Sequence, residues 1–420
     1  MVDSTSWDWT TDEKTIDTGA WDRQFEWVEE IHASPDGETV AAIVNTGEDT
    51  FNVCVNGQTW DKGFDKIWHL RFTPDGRPFA LVADMDQWTV AVSGEPWSAA
   101  FDYAWQPMVS RDGHIALAAQ QGGRYAVAID GVLWETDFAD IGHWTLSPSG
   151  THAAAAVQVR PVDSGQVHKF QEGTISAAVD GQAWESCFVN VWELAFSPDE
   201  AQVAAQVRPD LYRYTIAVNG RMWDQTYGGV WTPCFHPVTA EVVAPVRQAG
   251  KWFMARNGHI FWDRPFVQLW QQQFSADGDR LAAIAATRYG RWTVVVDGQP
   301  WNTTFNAMVT DLTIGPDGRR IAALAKQDDK WHLVVDDKVW QHAYEMAWRP
   351  VFAPDGSGVA AKVERDGKYT FVVNDHLWHQ PCDMAWDPCF SPDGSRLLLR
   401  FLKDGVYHRR VVPATAITDH

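Results

Sequence analysis

The chain has 420 residues, and its 34 Lys and Arg stand against 55 Asp and Glu for a formal net charge of −21. That balance argues against direct binding of nucleic acid, where phosphate affinity rests on clustered Lys and Arg, and against docking on anionic lipid. The rest of the composition, 45% hydrophobic and 21% charged, is ordinary for a globular protein, apart from 25 Trp against 20 Phe and 9 Tyr.

In chain order, the segment from Met1 to Trp9 has no basic stretch followed by an apolar run, so no secretory signal is expected. No stretch reaches the ~18–20 apolar residues that span a bilayer. The expectation is a cytoplasmic chain that does not insert in a membrane and reaches its inner face through partners. Residues 1–14 read as an arm carrying Trp7 and Trp9. Residues 15–25 contain Gly19-Ala-Trp21-Asp-Arg-Gln-Phe25, which matches Gly57-Gln-Thr-Trp60-Asp-Lys-Gly-Phe64 and predicts a strand of the same type.

From residue 34 onward a turn of the Ser-Pro-Asp-Gly kind recurs. Its last positions are Gly37, Gly76, Gly113, Gly150, Glu200, Thr239, Gly278, Gly318, Gly356 and Gly394, separated by 37–40 residues except for one step of 50. The fifth unit shows the pattern: Trp192-Glu-Leu-Ala-Phe196, the turn Ser197-Pro-Asp-Glu200, an Ala/Val run over 203–207, an alternating run over 214–218, then Asn219-Gly220 and Trp223. Pro-Asp-Gly suits a type I turn, and Asn-Gly or Asp-Gly suits a two-residue hairpin that needs φ > 0. Each unit therefore reads as four short antiparallel strands, and four strands repeated at this period are the signature of a β-propeller blade.

The tryptophans fall in three columns. The first lies five residues before the turn (Trp68, Trp105, Trp192, Trp231, Trp270, Trp348, Trp386). By analogy with WD-type blades it opens the innermost strand, at the rim of a central tunnel. The second opens the third strand, and holds Phe51, Trp88, Tyr125, Tyr214, Trp252, Trp292, Trp331, Tyr369 and Tyr407, with Ile175 as the exception. The third follows the hairpin, from Trp21 and Trp60 through Trp340 and Trp378. Packing between blades is expected of columns two and three, because flat rings cover much area with few rotatable bonds.

The last unit stops after its third strand, near residue 412, so the segment 15–25 is expected to complete it and remove both open sheet edges. Charge agrees: residues 1–30 hold nine acids and two bases, while Arg396, Arg400, Lys403, Arg409 and Arg410 crowd the other end. The sequence thus predicts an all-β fold, a single propeller of about ten blades over 15–413, with 414–420 as a tail. Two five-bladed propellers are the alternative. Cys234 and Cys389 hold the same repeat position four units apart, which gives no support to a five-unit period.

Residues 160–173 interrupt the fourth unit. A repeat-specific insertion maps to a loop, often on a binding face, so Arg160, His168, Lys169 and Phe170 join Trp7 and Trp9 as candidates for protein contact. No catalytic, cofactor-binding or metal-binding residue is nominated. The five Cys are scattered, and the chain holds no C-x-x-C, H-E-x-x-H, G-x-S-x-G or P-loop.

The Pro-Asp-Gly turns resemble those of WD40-like and TolB-type propellers over nearly the whole chain. The WD dipeptide is rare, and no Gly-His precedes each blade, which departs from the standard WD40 pattern. With its repeating V-[DN]-G-x-x-W, the chain is similar to the tryptophan-rich TmcD subunit of the Tmc transmembrane redox complex of sulfate-reducing bacteria. That resemblance implies a cofactor-free, non-catalytic accessory subunit in sulfate respiration. Its partners would be an iron–sulfur protein, a membrane cytochrome b and a multihaem cytochrome c. The alternatives are a stand-alone interaction propeller, a small-ligand receptor with an aromatic rim and, least favoured by the motifs, a quinoprotein-like enzyme.

Overall fold

The computed structural model describes residues 4–47, 49–161 and 171–417. The fold is a β-propeller of ten four-stranded antiparallel blades. Blade five shows the plan: Asn190–Phe196 inside, then Val203–Arg208, Thr215–Val218 and Arg221–Met222. The second strands are largely apolar runs, rich in Ala and Val as in Val203–Arg208, because both of their faces are buried. In blades nine and ten the inner strand is broken into two short pieces, Met346–Ala347 with Val351–Phe352 and Met384–Ala385 with Cys389–Phe390. Pro350 and Pro388 fall in the gaps, where a missing N–H costs no ladder bond.

Side chains lock the turns. Ser197 Oγ donates to Asp199 Oδ1 at 2.6 Å and accepts from the Gln202 N–H at 2.9 Å. At the hairpin Asn219 takes φ 46°, and its side-chain oxygen accepts the N–H of Val203 at 2.9 Å, tying the tip to the start of the second strand. The same tether joins Asn56 to Val40, Asp130 to Ile115 and Asp336 to Ile321. The next residue, Gly220, has φ +79°, and a Cβ there would lie 3.2 Å from Trp184 of the preceding blade. Gly94 likewise sits on Trp60. The motif V-[DN]-G-x-x-W is thus an interblade joint: the third-column Trp of one blade packs under the hairpin glycine of the next.

The chain forms two compact units, one comprising Met1–Asp84, Ala91–Pro96 and Gly290–His420, the other Met85–Val90 and Trp97–Tyr289. In the first, an N-terminal strand completes the last blade, as the sequence predicts, but its position differs. The strand is Glu13–Asp17, paired from Glu13↔Arg410 to Asp17↔Val406. The predicted segment 15–25 overlaps it only at 15–17, and two residues assigned to the arm are in the sheet. Thr18 Oγ1 and the Gly19 N–H both bond the Gly405 carbonyl, which ends the strand. The chain then makes a one-turn helix, Trp21–Gln24, that buries Trp21 beside Gly57. Trp21 keeps its column-three role, although it opens a helical turn.

Arg410 and His408 donate to the Glu13 carboxylate at 2.6 and 2.8 Å, so the charge match at the two ends is a real contact. The described part of the expected C-terminal tail is also integrated. Ala414–Ala416 forms a 3-10 turn, and Ile417 is buried in the core of the last blade.

Candidate functional site

The inner strand of blade five carries a β-bulge: its register against Val203–Arg208 shifts between Trp192 and Leu194, with Glu193 at φ 38°. Bulges recur in Tyr103–Val109, at Gln106, and in Gln268–Phe274, at Gln271. A bulge bends its strand and re-aims neighbouring side chains. Trp192 lies against Tyr214 of the third strand, with ring centres 6.2 Å apart and planes at 24°.

Blade six departs further. Gly228-Gly229 and Pro233 leave only Cys234–Phe235 as regular inner strand, plus a bridge between Val230 and Val246. Pro233 and Pro245 both lack an N–H, and the bonds here run from Trp231 N to the Pro245 carbonyl, from Arg247 N to the Gly229 carbonyl and from Gly228 N to the Arg247 carbonyl. Trp231 stacks on Trp252 at 5.2 Å with planes 10° apart, and the Trp231 side chain is 39% exposed.

These two stacked pairs line a cavity of about 590 Å³, within the ~300–1,000 Å³ range of small-molecule sites. Its polar side chains include Glu193, Gln206, Thr232, Arg247 and Gln268. Gln206 is only 8% exposed, and the side-chain oxygen of Gln268 is buried without a partner. A second cavity of about 540 Å³ shares Trp231 and adds Trp270, Gln271 and Gln272. The aromatic lining therefore continues over inner-strand residues of three successive blades within the second unit. Flat apolar faces beside planar hydrogen-bonding groups are the chemistry of a binding site.

In the first unit the arm covers a smaller cavity of about 400 Å³, lined in part by Trp7, His32, Phe72, Phe352 and Cys389. Burial, reinforced by the nearby Arg71 charge, pushes the His32 imidazole down to about 4. The Arg71 guanidinium accordingly donates to His32 Nε2 at 2.8 Å. The five cysteines are free thiols, and burial pushes Cys54 and Cys234 up to about 11 and Cys382 to about 12.

The residues nominated from sequence are not gathered at the aromatic cavity. Trp7 and Trp9 stack on each other at 6.1 Å; Arg396 donates to the Trp9 carbonyl at 2.6 Å, and Trp9 Nε1 donates to Ser4. Both rings are half-buried on their own protein. Arg160 donates to the Gly173 carbonyl at 3.4 Å, near the end of its strand. His168, Lys169 and Phe170 lie outside the described residues. In the sequence Trp192, Trp231, Tyr214 and Trp252 read only as members of the aromatic columns. Gly228-Gly229 just before Trp231 is the signal that this blade differs.

Among the described residues no group of three or more His, Cys, Asp and Glu is placed to hold a metal ion, and no helix is long and apolar enough to cross a membrane. No protein-family model and no curated protein matches the chain. Among solved structures, a eukaryotic initiation factor aligns over 90% of this chain and 97% of its own, with 12% identity and a TM-score of 0.45. The β-propeller domain of Cps50 (Swd1) from Myceliophteria thermophila aligns over 65% of this chain and 98% of its own, with 13% identity and a TM-score of 0.31.

Proposed function

We propose that this chain is a non-catalytic interaction scaffold, an accessory subunit of a membrane-associated electron-transfer complex whose iron–sulfur and cytochrome partners carry the cofactors. The observation that supports a scaffold is the exposure of large flat rings on inner strands: Trp27, Trp68 and Trp231 are 42%, 43% and 39% exposed. Exposed Trp is the residue type most enriched among interface anchors. The redox setting rests on the sequence resemblance.

The test is affinity purification of the tagged chain from its native membranes, with mass spectrometry and visible spectra of the eluate. Haem and iron–sulfur absorption with defined partner subunits is the expected result. A colourless eluate without redox proteins overturns the redox setting, and a chain that elutes alone overturns the scaffold. A variant in which a short Gly-Ser link replaces residues 161–172 is expected to fold and to recover less partner.

A further inference from the structure

We propose that the cavity lined by Trp192, Tyr214, Trp231 and Trp252 is a saccharide-binding site. The inference is independent of the partner assignment above. It starts from the mixture of groups. Sugar rings present apolar C–H faces that lie flat on indoles and a perimeter of hydroxyls that both donate and accept hydrogen bonds. The cavity offers both counterparts: two stacked aromatic pairs and, in the same lining, planar polar side chains.

Those polar groups have unused capacity. The Gln206 amide, although nine-tenths buried, makes no hydrogen bond among the described residues, and the Gln268 oxygen is buried unpaired. Arg247 forms no ion pair among the described residues, and its guanidinium fork suits two vicinal hydroxyls. Glu193, whose carboxylate lies 3.8 Å from His143 Nε2, adds an acceptor. A hydroxyl satisfies donors and acceptors alike, whichever way the Gln amides are turned. The second cavity, sharing Trp231 and opening on Trp270 and Gln272, provides for a further sugar unit, so the ligand is an oligosaccharide.

Two other occupants fit less well. A proline-rich segment would cover the rings but brings no N–H for Glu193 or Gln268 at its prolines. A nucleotide would bring phosphate to a chain of net charge −21.

The experiment uses the purified full chain with cellotetraose, xylotetraose, mannotetraose and a decaproline peptide, followed by titration calorimetry and saturation-transfer NMR. Saturable binding of at least one tetrasaccharide is expected. Trp231→Ala and, separately, Gly229→Leu should weaken it by about tenfold or more with unchanged melting. Gly229 has a φ open to any residue, and a side chain there would point at Trp252, 3.5 Å from its Cβ position, so the leucine fills the cavity while every ring is kept. Arg247→Ala should weaken it as well. Three results overturn the proposal: no saturable binding of any tetrasaccharide up to about 10 mM, affinity unchanged in both the Trp231 and the Gly229 variants, or Trp231-dependent binding of decaproline alone.

Discussion

Arg409 has none of its side chain exposed, an expensive place for a charge, and its Nη1 is buried without a partner, so the bonds of Nε and Nη2 must offset the burial. Its Nε lies 3.0 Å from the Asp36 carbonyl and 2.9 Å from Glu38, and its Nη2 donates to the Asp8 carbonyl, so one side chain ties the last blade, the first turn and the arm. Removing it takes charge-assisted bonds from two backbone carbonyls, while Glu38, a third exposed, keeps Lys14 at 2.7 Å, so Arg409→Ala is expected to cost about 2–3 kcal/mol in urea unfolding. A change under about 1 kcal/mol would show that the clamp is not needed. His32 gives a pH signature. Its folded pKa of about 4 lies below the ordinary 6.5, so between those values the unfolded chain takes up a proton that the folded chain refuses. Its contribution is fully present above pH 6.5 and is lost as the pH falls toward 4. His32→Gln should flatten the stability–pH curve in that window, read from melting temperatures. An unchanged slope would mean that the imidazole is solvated.

At the scale of an element, the hairpin is the unit of blade assembly. Ala at position 220 would have to adopt φ +79° with its Cβ 3.2 Å from Trp184. Gly220→Ala should therefore destabilise by about 1–3 kcal/mol, and Asn in its place, which tolerates left-handed backbone, should cost less. The strand Glu13–Asp17 covers the edge of Val406–Pro413, a row of backbone groups otherwise open to pairing with another chain. Deleting residues 1–17 should give aggregation or loss of cooperative unfolding, measured by light scattering and calorimetry. A monomer with unchanged melting would refute the role of this strand. Burial pushes the Glu13 carboxyl up, but the bonds from His408 and Arg410 outweigh it and hold its pKa below the ordinary value. This contact therefore stabilises above the ordinary carboxylate range and weakens as acid protonates Glu13.

For the whole molecule, the repeat was legible because each blade is closed by local chemistry. Ser-Pro-Asp-Gly and Asn-Gly select their turns within four residues, and the burial of both faces writes apolar runs into the second strands, Ala/Val-rich in most and Leu397–Leu399 in the last. Strand count, blade number and the need for an N-terminal strand all follow from such local signals. The exact strand, 13–17 rather than 15–25, was decided by contacts at Gly405, about 390 residues away in the chain. The aromatic cavity is a tertiary product too. Columns of Trp are visible in the sequence, but the inner-strand bulge recurs from blade to blade, and the loss of regular strand around Gly228-Gly229 and Pro233 is what sets blade six, with Trp231, apart. Residue type does not encode the bulge: its positive-φ position holds Glu30, His69, Gln106, Glu193, Gln271 and Asp311 in different blades. The sequence by itself determined the blades, since turns and two-faced burial are local physics. The tertiary structure decided how the chain end is clamped and where its rings leave room for a ligand, since both depend on pairing between strands and blades that no single repeat specifies.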